Sequence, residues 1–251
     1  MGGINVKSKD VTVARTLLDI RKGAPRPPGL PVTPPDTAAA YAVQRAVIAE
    51  LGGGAWKMAL LGGRDRHAGA LPGGLIASSG DTSPPLPPDA SIEVETALIL
   101  GADLAPGADE AAVLAAIAEV RLCFEIVASR YADRTAVAPL EAMADAFSAG
   151  GIVLGDPLEG WREATSGPLG IRLWLDDQPV EAAETVQGPD DALSFLAWLA
   201  SHAAQQGLPL RRGDLIITGA RMGPLPLNGA TRARATACGA EVSASLHYKA
   251  E

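Results

Sequence analysis

The chain has 251 residues and a formal charge of −8, with apolar residues at 47% and charged ones at 20%. This is the composition of a globular protein with a substantial core, and it excludes a disordered chain. The acidic balance argues against a nucleic-acid surface, which needs a cationic stripe, but leaves room for a small anion held by local basic groups or a metal.

The first residues, Met1 to Lys7, lack the apolar core of a signal peptide, and Val6 stands where a myristoylation motif wants Ser or Thr. The longest apolar runs are far short of a membrane span, so a cytoplasmic protein with no membrane partner is expected. Asp10 can cap a helix through Ile20, with Val13, Leu17 and Ile20 at helical spacing, ending near Lys22-Gly23. The proline-rich stretch Ala24 to Pro35 must be an extended connector. Asp36 or Thr37 then caps a second helix, with Tyr41, Gln44, Val47, Ile48 and Leu51 along one side and Gly52 to Gly54 as its stop. Those glycines follow a helix and precede a strand, the wrong context for a phosphate-binding loop.

Ala55 to Leu61 reads as a short apolar strand interrupted by Lys57, which either snorkels from an edge or lies opposite carboxylates. Gly62 to Gly74, with Arg64, Asp65, Arg66 and His67 among glycines, reads as a surface loop, either a lid over a site or simply solvated. After a proline-rich lead-in, Ile92 to Gly101 puts Glu93 and Glu95 into what is otherwise a buried strand. Residues two apart share a face, so both carboxylates project together. Their repulsion and desolvation call for a cation between them, or for a solvated strand end.

Asp109 and Glu110 open an Ala-rich helix to Val120, and Arg121 to Val127 is a second buried-strand pattern with Glu125 at its centre. Pro139 to Ala149 reads as a helix and Gly150 to Gly155 as a strand; Ile171 to Trp174 opens a hairpin that turns at Asp176-Asp177. Pro189 to Gly207 is the strongest helical pattern, with His202 an ordinary helix residue because no second histidine stands four positions away. Short strands and turns follow, among them Leu215 to Thr218 and Val242 to Tyr248. Cys123 and Cys238 are far apart, form no C-x-x-C pair and read as small hydrophobes. No G-x-S-x-G elbow anchors a serine triad. Helices first, then short strands without a βαβ rhythm, define an α+β fold on a mixed, strongly curved sheet. Residues 1–54 form an N-terminal helical region and 55–251 the sheet-bearing remainder.

Trp56-Lys57, Ile92-Glu93-Val94-Glu95, Phe124-Glu125-Ile126-Val127 followed by Ser129-Arg130-Tyr131, and Gly213 to Gly219 occur in that order. With Ala40 to Gln44, Phe147 to Gly150 and Ala197 to Ala200, this ordered set resembles the 2-keto-4-pentenoate hydratase and 2-oxo-3-hexenedioate decarboxylase family of the fumarylacetoacetate hydrolase superfamily. The resemblance implies a curved mixed-sheet roll and a Mg²⁺ or Mn²⁺ ion held by Glu93, Glu95 and Glu125. It also implies a small 2-oxo acid or dienol as substrate, a homo-oligomer and a place in aromatic catabolism. Lys57 matches the family lysine, which would donate or accept a proton beside the substrate. Arg64, Arg66 and His67 are candidates to hold a second anionic end.

Many relatives follow the lysine with Ile-Gly-Leu-Thr-Ser, whereas this chain has Met58 to Gly62 without hydroxyls. Pro72-Gly73-Gly74 lacks the carboxylate of a frequent Pro-Asp-x-Gly, and Ala128 and Asp145-Ala146 replace a common Asp and Asp-Asn. Hydration is the expected reaction. Decarboxylation and hydrolytic carbon–carbon cleavage of an acylpyruvate are alternatives on the same first residues, and a non-catalytic metal-binding scaffold or partner subunit is an alternative of another class.

Overall fold

A computed structural model describes residues 8–61, 65–161, 167–186 and 191–249. Strands β1 (Gly53–Leu61), β2 (Asp65–Pro72), β3 (Ile76–Ser78), β4 (Ser91–Leu100), β5 (Ile117–Val127), β6 (Ala149–Pro157), β9 (Leu215–Ile217) and β10 (Met222–Pro226) form an eight-stranded mixed sheet. Its order is β2-β1-β9-β4-β5-β6-β3, with β10 also paired to β4. β1 runs parallel to β9 and β3 to β6, and the other pairings are antiparallel. A second sheet, ordered β12-β11-β7-β8, comprises β7 (Arg172–Leu175), β8 (Gln178–Val180), β11 (Arg232–Ala237) and β12 (Ala240–Ser245).

Side-chain alternation assigns each face of the large sheet a separate core. Trp56, Met58, Val94, Leu98, Phe124 and Ile126 point into the main core, where they join Phe195, Leu196 and Leu199 of a helix at Asp191–Gln205. Ala55, Leu71, Ala97, Cys123, Ile152 and Ile217 point the other way into a smaller cluster. The glutamates belong to this second face.

Helices α1 (Ser8–Arg21) and α2 (Thr37–Leu51) build a third core around Leu17, Val43 and Val47. The Asp36 carboxylate accepts the Ala39 N–H at 2.8 Å, and Gly52 closes α2 at φ 76°, its N–H bonded to the Ile48 carbonyl. α2 also covers the free edge of β2. The Gln44 amide donates to the Ala68 carbonyl and accepts from the Ala70 N–H, so a side chain satisfies backbone groups that no neighbouring strand reaches. The helical core extends beyond residues 1–54, because Tyr131 and Met143 complete it.

Several elements differ from the sequence pattern. The stretch expected as a loop, Gly62 to Gly74, contains β2, hydrogen-bonded to β1 from Asp65 to Pro72. Its small residues, Ala68, Gly69 and Ala70, are there for close packing: a Cβ on Gly69 would stand 3.1 Å from that of Ala146. Asp10 lies inside α1 and not at its cap. α3 (Glu110–Ala116), capped by Asp109, is shorter than expected because β5 begins at Ile117, and α4 (Pro139–Ala144) stops before Ala149. After it Ala146, Phe147 and Ser148 all take left-handed backbone angles, φ 48°, 55° and 67°. α5 (Asp191–Gln205) follows the expected helix, while the Pro189 start lies outside the described residues. No helix among the described residues is long and apolar enough to cross a membrane.

Candidate metal centre

The site is a product of strand register. β4 and β5 pair Glu93 with Glu125 and Glu95 with Cys123, so the three carboxylates occupy adjacent positions on one face. One ligand atom from each of Glu93, Glu95 and Glu125 lies within 4.8 Å of the others. Like charges directly opposite on a ladder repel, and these are buried, Glu95 and Glu125 completely.

Lys57 arrives from the other side. It is aligned through Ile217 of β9 with Ala97 of β4, and its Nζ donates to Glu125 Oε1 at 2.6 Å. β9 ends at Ile217, and the next position on that face is Gly219, at φ 102° and without a side chain. Its N–H donates to Glu95 Oε2 at 2.8 Å. Gly223 approaches from β10 so closely that a Cβ there would lie 2.7 Å from the Ile92 carbonyl and 3.3 Å from Glu93 Cγ. The sequence reading gave neither glycine a role at the site, although Gly219 ends the Gly213 to Gly219 stretch; the signal that could have found them is glycine immediately after and shortly beyond an apolar strand.

Even so, the cluster is incompletely satisfied. Glu95 Oε1 and Glu125 Oε2 are buried with no hydrogen-bond partner among the described residues. Burial pushes Glu125 up to about 7, with Glu93 adding to the rise and Lys57 opposing it. Burial, then Glu125 and Glu93, push Glu95 well above the usual carboxylate range. For Lys57 burial disfavours the ammonium, but Glu125, Glu93 and Glu95 together outweigh it and raise the pKa. Burial and the Glu95 and Glu125 charges raise the Cys123 thiol as well.

Of the basic residues expected to hold a second anionic end, Arg66 and His67 point to opposite faces of β2. Arg64 lies outside the described residues. Arg66 is paired with Leu60, which puts it on the face opposite the carboxylates, exposed, bonded to Ser194 and 5.6 Å from the Phe195 ring centre. His67 shares the face of Lys57 but stands at the outer edge, its Nδ1 3.4 Å from the Tyr41 hydroxyl. Tyr41 also packs 4.5 Å from His202, which stacks on Trp198, and burial takes the His202 pKa down to about 4.

A curved mixed sheet carrying a buried three-carboxylate cluster defines a fumarylacetoacetate hydrolase-type roll with a candidate divalent-metal site. Fold comparison agrees: 4-oxalocrotonate decarboxylase from Pseudomonas putida, solved with magnesium and adipate, superposes with a TM-score of 0.77 over 98% of this chain and 100% of that one, at 20% identity. In sequence the chain is 34% identical over 137 residues to 2-keto-4-pentenoate hydratase of Paraburkholderia xenovorans, covering 53% of this chain and 49% of the relative. It is 32% identical over 131 residues to a Pseudomonas 4-oxalocrotonate decarboxylase, covering 51% and 49%. These alignments span about half the length of the curated relatives. No protein-family model matches the chain. In sequence and fold it resembles the 2-keto-4-pentenoate hydratase and 2-oxo-3-hexenedioate decarboxylase family.

Proposed function

We propose that the chain is a metal-dependent hydro-lyase that adds water to a small 2-oxo acid dienol of the 2-hydroxypenta-2,4-dienoate type. The observation that carries this reading is the pair of buried carboxylate oxygens on Glu95 and Glu125, without a partner among the described residues, beside Glu93 and Lys57. An all-oxygen, net-negative donor set enclosed by apolar side chains fits a hard divalent cation. Glu93, Glu95 and Glu125 would hold Mg²⁺ or Mn²⁺. When bound, such an ion supplies Lewis-acid stabilisation to the oxygens of a 2-oxo acid.

The chain's own residues do the rest. Lys57 Nζ is the proton-carrying group beside the three carboxylates, and neutralising them removes the charges that hold its proton, so it can pass one to or from a substrate carbon. Ala55, Leu71, Ile152 and Ile217 line the same face and keep bulk water away, which strengthens every charge interaction there. Gly219 fixes the Glu95 carboxylate by its N–H. Of the described members of the expected basic trio, His67 shares the face of Lys57.

Decarboxylation of a 2-oxo-3-hexenedioate-like acid is the second reading. It is favoured by Ala55 and Ala59, the flanking residues of Lys57 on its own face, which offer no hydroxyl to position water. The full-length protein is incubated with Mn²⁺ or Mg²⁺ and each acid, following dienol absorbance and CO₂ release. Loss of dienol without CO₂, abolished by a chelator, is the expected result. CO₂ release from the hexenedioate alone favours the second reading, and no turnover of either leaves a metal-binding scaffold. Light scattering on the same preparation tests the proposed homo-oligomer.

A further inference from the structure

A second cavity lies away from the carboxylate site. A cleft of about 780 Å³ lies where the end of α1 meets the turn after β2, the proline-rich segment 84–88 and the residues just past β5. This volume suits a small organic ligand. Its walls are apolar, with Leu51, Leu75 and Leu86 beside the prolines, while Arg21, Arg130 and Lys249 supply cations. No carboxylate lines it among the described residues.

Of the three arginines that line it, Arg26 is paired with Asp89 at 2.8 Å, and the other two differ in how they are satisfied. Each guanidinium nitrogen of Arg130 has an acceptor among the Asp145 carboxylate and the carbonyls of Ala128, Ala149 and Asp145, and its backbone N–H donates to the other Asp145 oxygen at 3.2 Å. Arg21 beside it has a buried Nε with no acceptor and makes no side-chain hydrogen bond or ion pair among the described residues. Asp145, the carboxylate that attracts Arg21, is already committed to Arg130, which repels it. A half-buried cation next to a like charge, in a protein of net charge −8, is a costly arrangement that an anion would relieve.

We propose that this cleft is a second binding site, for a monocarboxylate carrying an apolar chain or ring, with the carboxylate on Arg21 and the apolar body against the proline and leucine walls. It shares no residue with the Glu93, Glu95 and Glu125 cluster, so occupancy does not require a metal. Through Arg130 and Asp145 it touches the turn at Ala146, which packs on Gly69 of β2.

The test is calorimetry on chelator-treated full-length protein, in which the three free glutamates repel any anion from their own site. Hexanoate is expected to bind, with hexanol weaker by about tenfold or more, the worth of one charge-assisted hydrogen bond, and inorganic phosphate weaker again for want of an apolar body. Arg21→Met should weaken hexanoate by a similar factor. Gly74 lines the cleft with open space around its Cβ position and needs no left-handed angle, so Gly74→Leu should plug the cleft while leaving Mn²⁺ affinity unchanged. Equal binding of hexanoate and hexanol, phosphate binding as tightly as hexanoate, or undiminished hexanoate binding by Gly74→Leu would each overturn the proposal. Should Arg21→Met fail to fold, the leucine variant alone decides.

Discussion

Two buried ionic clusters lie a few residues apart along β5 and follow opposite rules. Around Arg130 and Asp145 the charges are paired and each guanidinium nitrogen has an acceptor, so the cluster fastens the segment after β5 to the end of α4. Around Glu93, Glu95 and Glu125 carboxylates outnumber cations and two oxygens have no partner among the described residues. Saturation marks an arrangement that stabilises the fold; a deficit marks one that holds something else.

The contrast can be broken from either side. Asp145→Ala should leave Arg130 buried without its counter-charge and destabilise the protein by about 3–5 kcal/mol, read by denaturant unfolding. A loss under 1 kcal/mol would mean the pair is not structural. Glu95→Gln should act in the opposite sense on the metal-free protein, raising its stability by about 1 kcal/mol because a repulsive charge is removed. The same variant should lower Mn²⁺ affinity by about a hundredfold or more, since even outer partners of a metal site cost 10–100-fold. Unchanged Mn²⁺ affinity by calorimetry would remove Glu95 from the ligand set.

pH sharpens the same comparison. Glu125, raised to about 7, and Glu95, also raised, bind protons more tightly folded than unfolded. The Glu125 contribution is therefore fully present below about 4.5, the unfolded value, and is lost as pH rises through about 7, with Glu95 acting in the same direction. Metal-free protein should lose stability over that window, and excess Mn²⁺ should flatten the loss, because binding needs the deprotonated carboxylates. A metal-free unfolding midpoint that does not fall between those pH values would contradict it. The smallest effect belongs to Arg66→Ala: exposed and on the far face, it should change stability by no more than about 0.5 kcal/mol and leave metal affinity untouched.

Much of the site is legible in the sequence. Glu93 and Glu95 two apart in an apolar run, Glu125 in a second and Lys57 in a third are local patterns, and alternation alone places the first two on one face. The α2 boundaries are legible for the same reason, since Asp36 and Gly52 act through their own backbone neighbours. β2 is not, because glycine and charged residues in 62–74 resemble a loop until Gly69 is seen against Ala146. Proximity along the chain groups Arg66 with His67, yet adjacent residues of a strand point to opposite faces.

The sequence by itself therefore determined which side chains are chemically costly to bury and, within each strand, which of them share a face. Only the tertiary structure decided which costs are met. The Glu93–Glu125 register, the Gly219 N–H on Glu95 and the commitment of Asp145 to Arg130 all join residues distant along the chain. Local periodicity carries no information about such pairings; they follow from how the strands and helices pack.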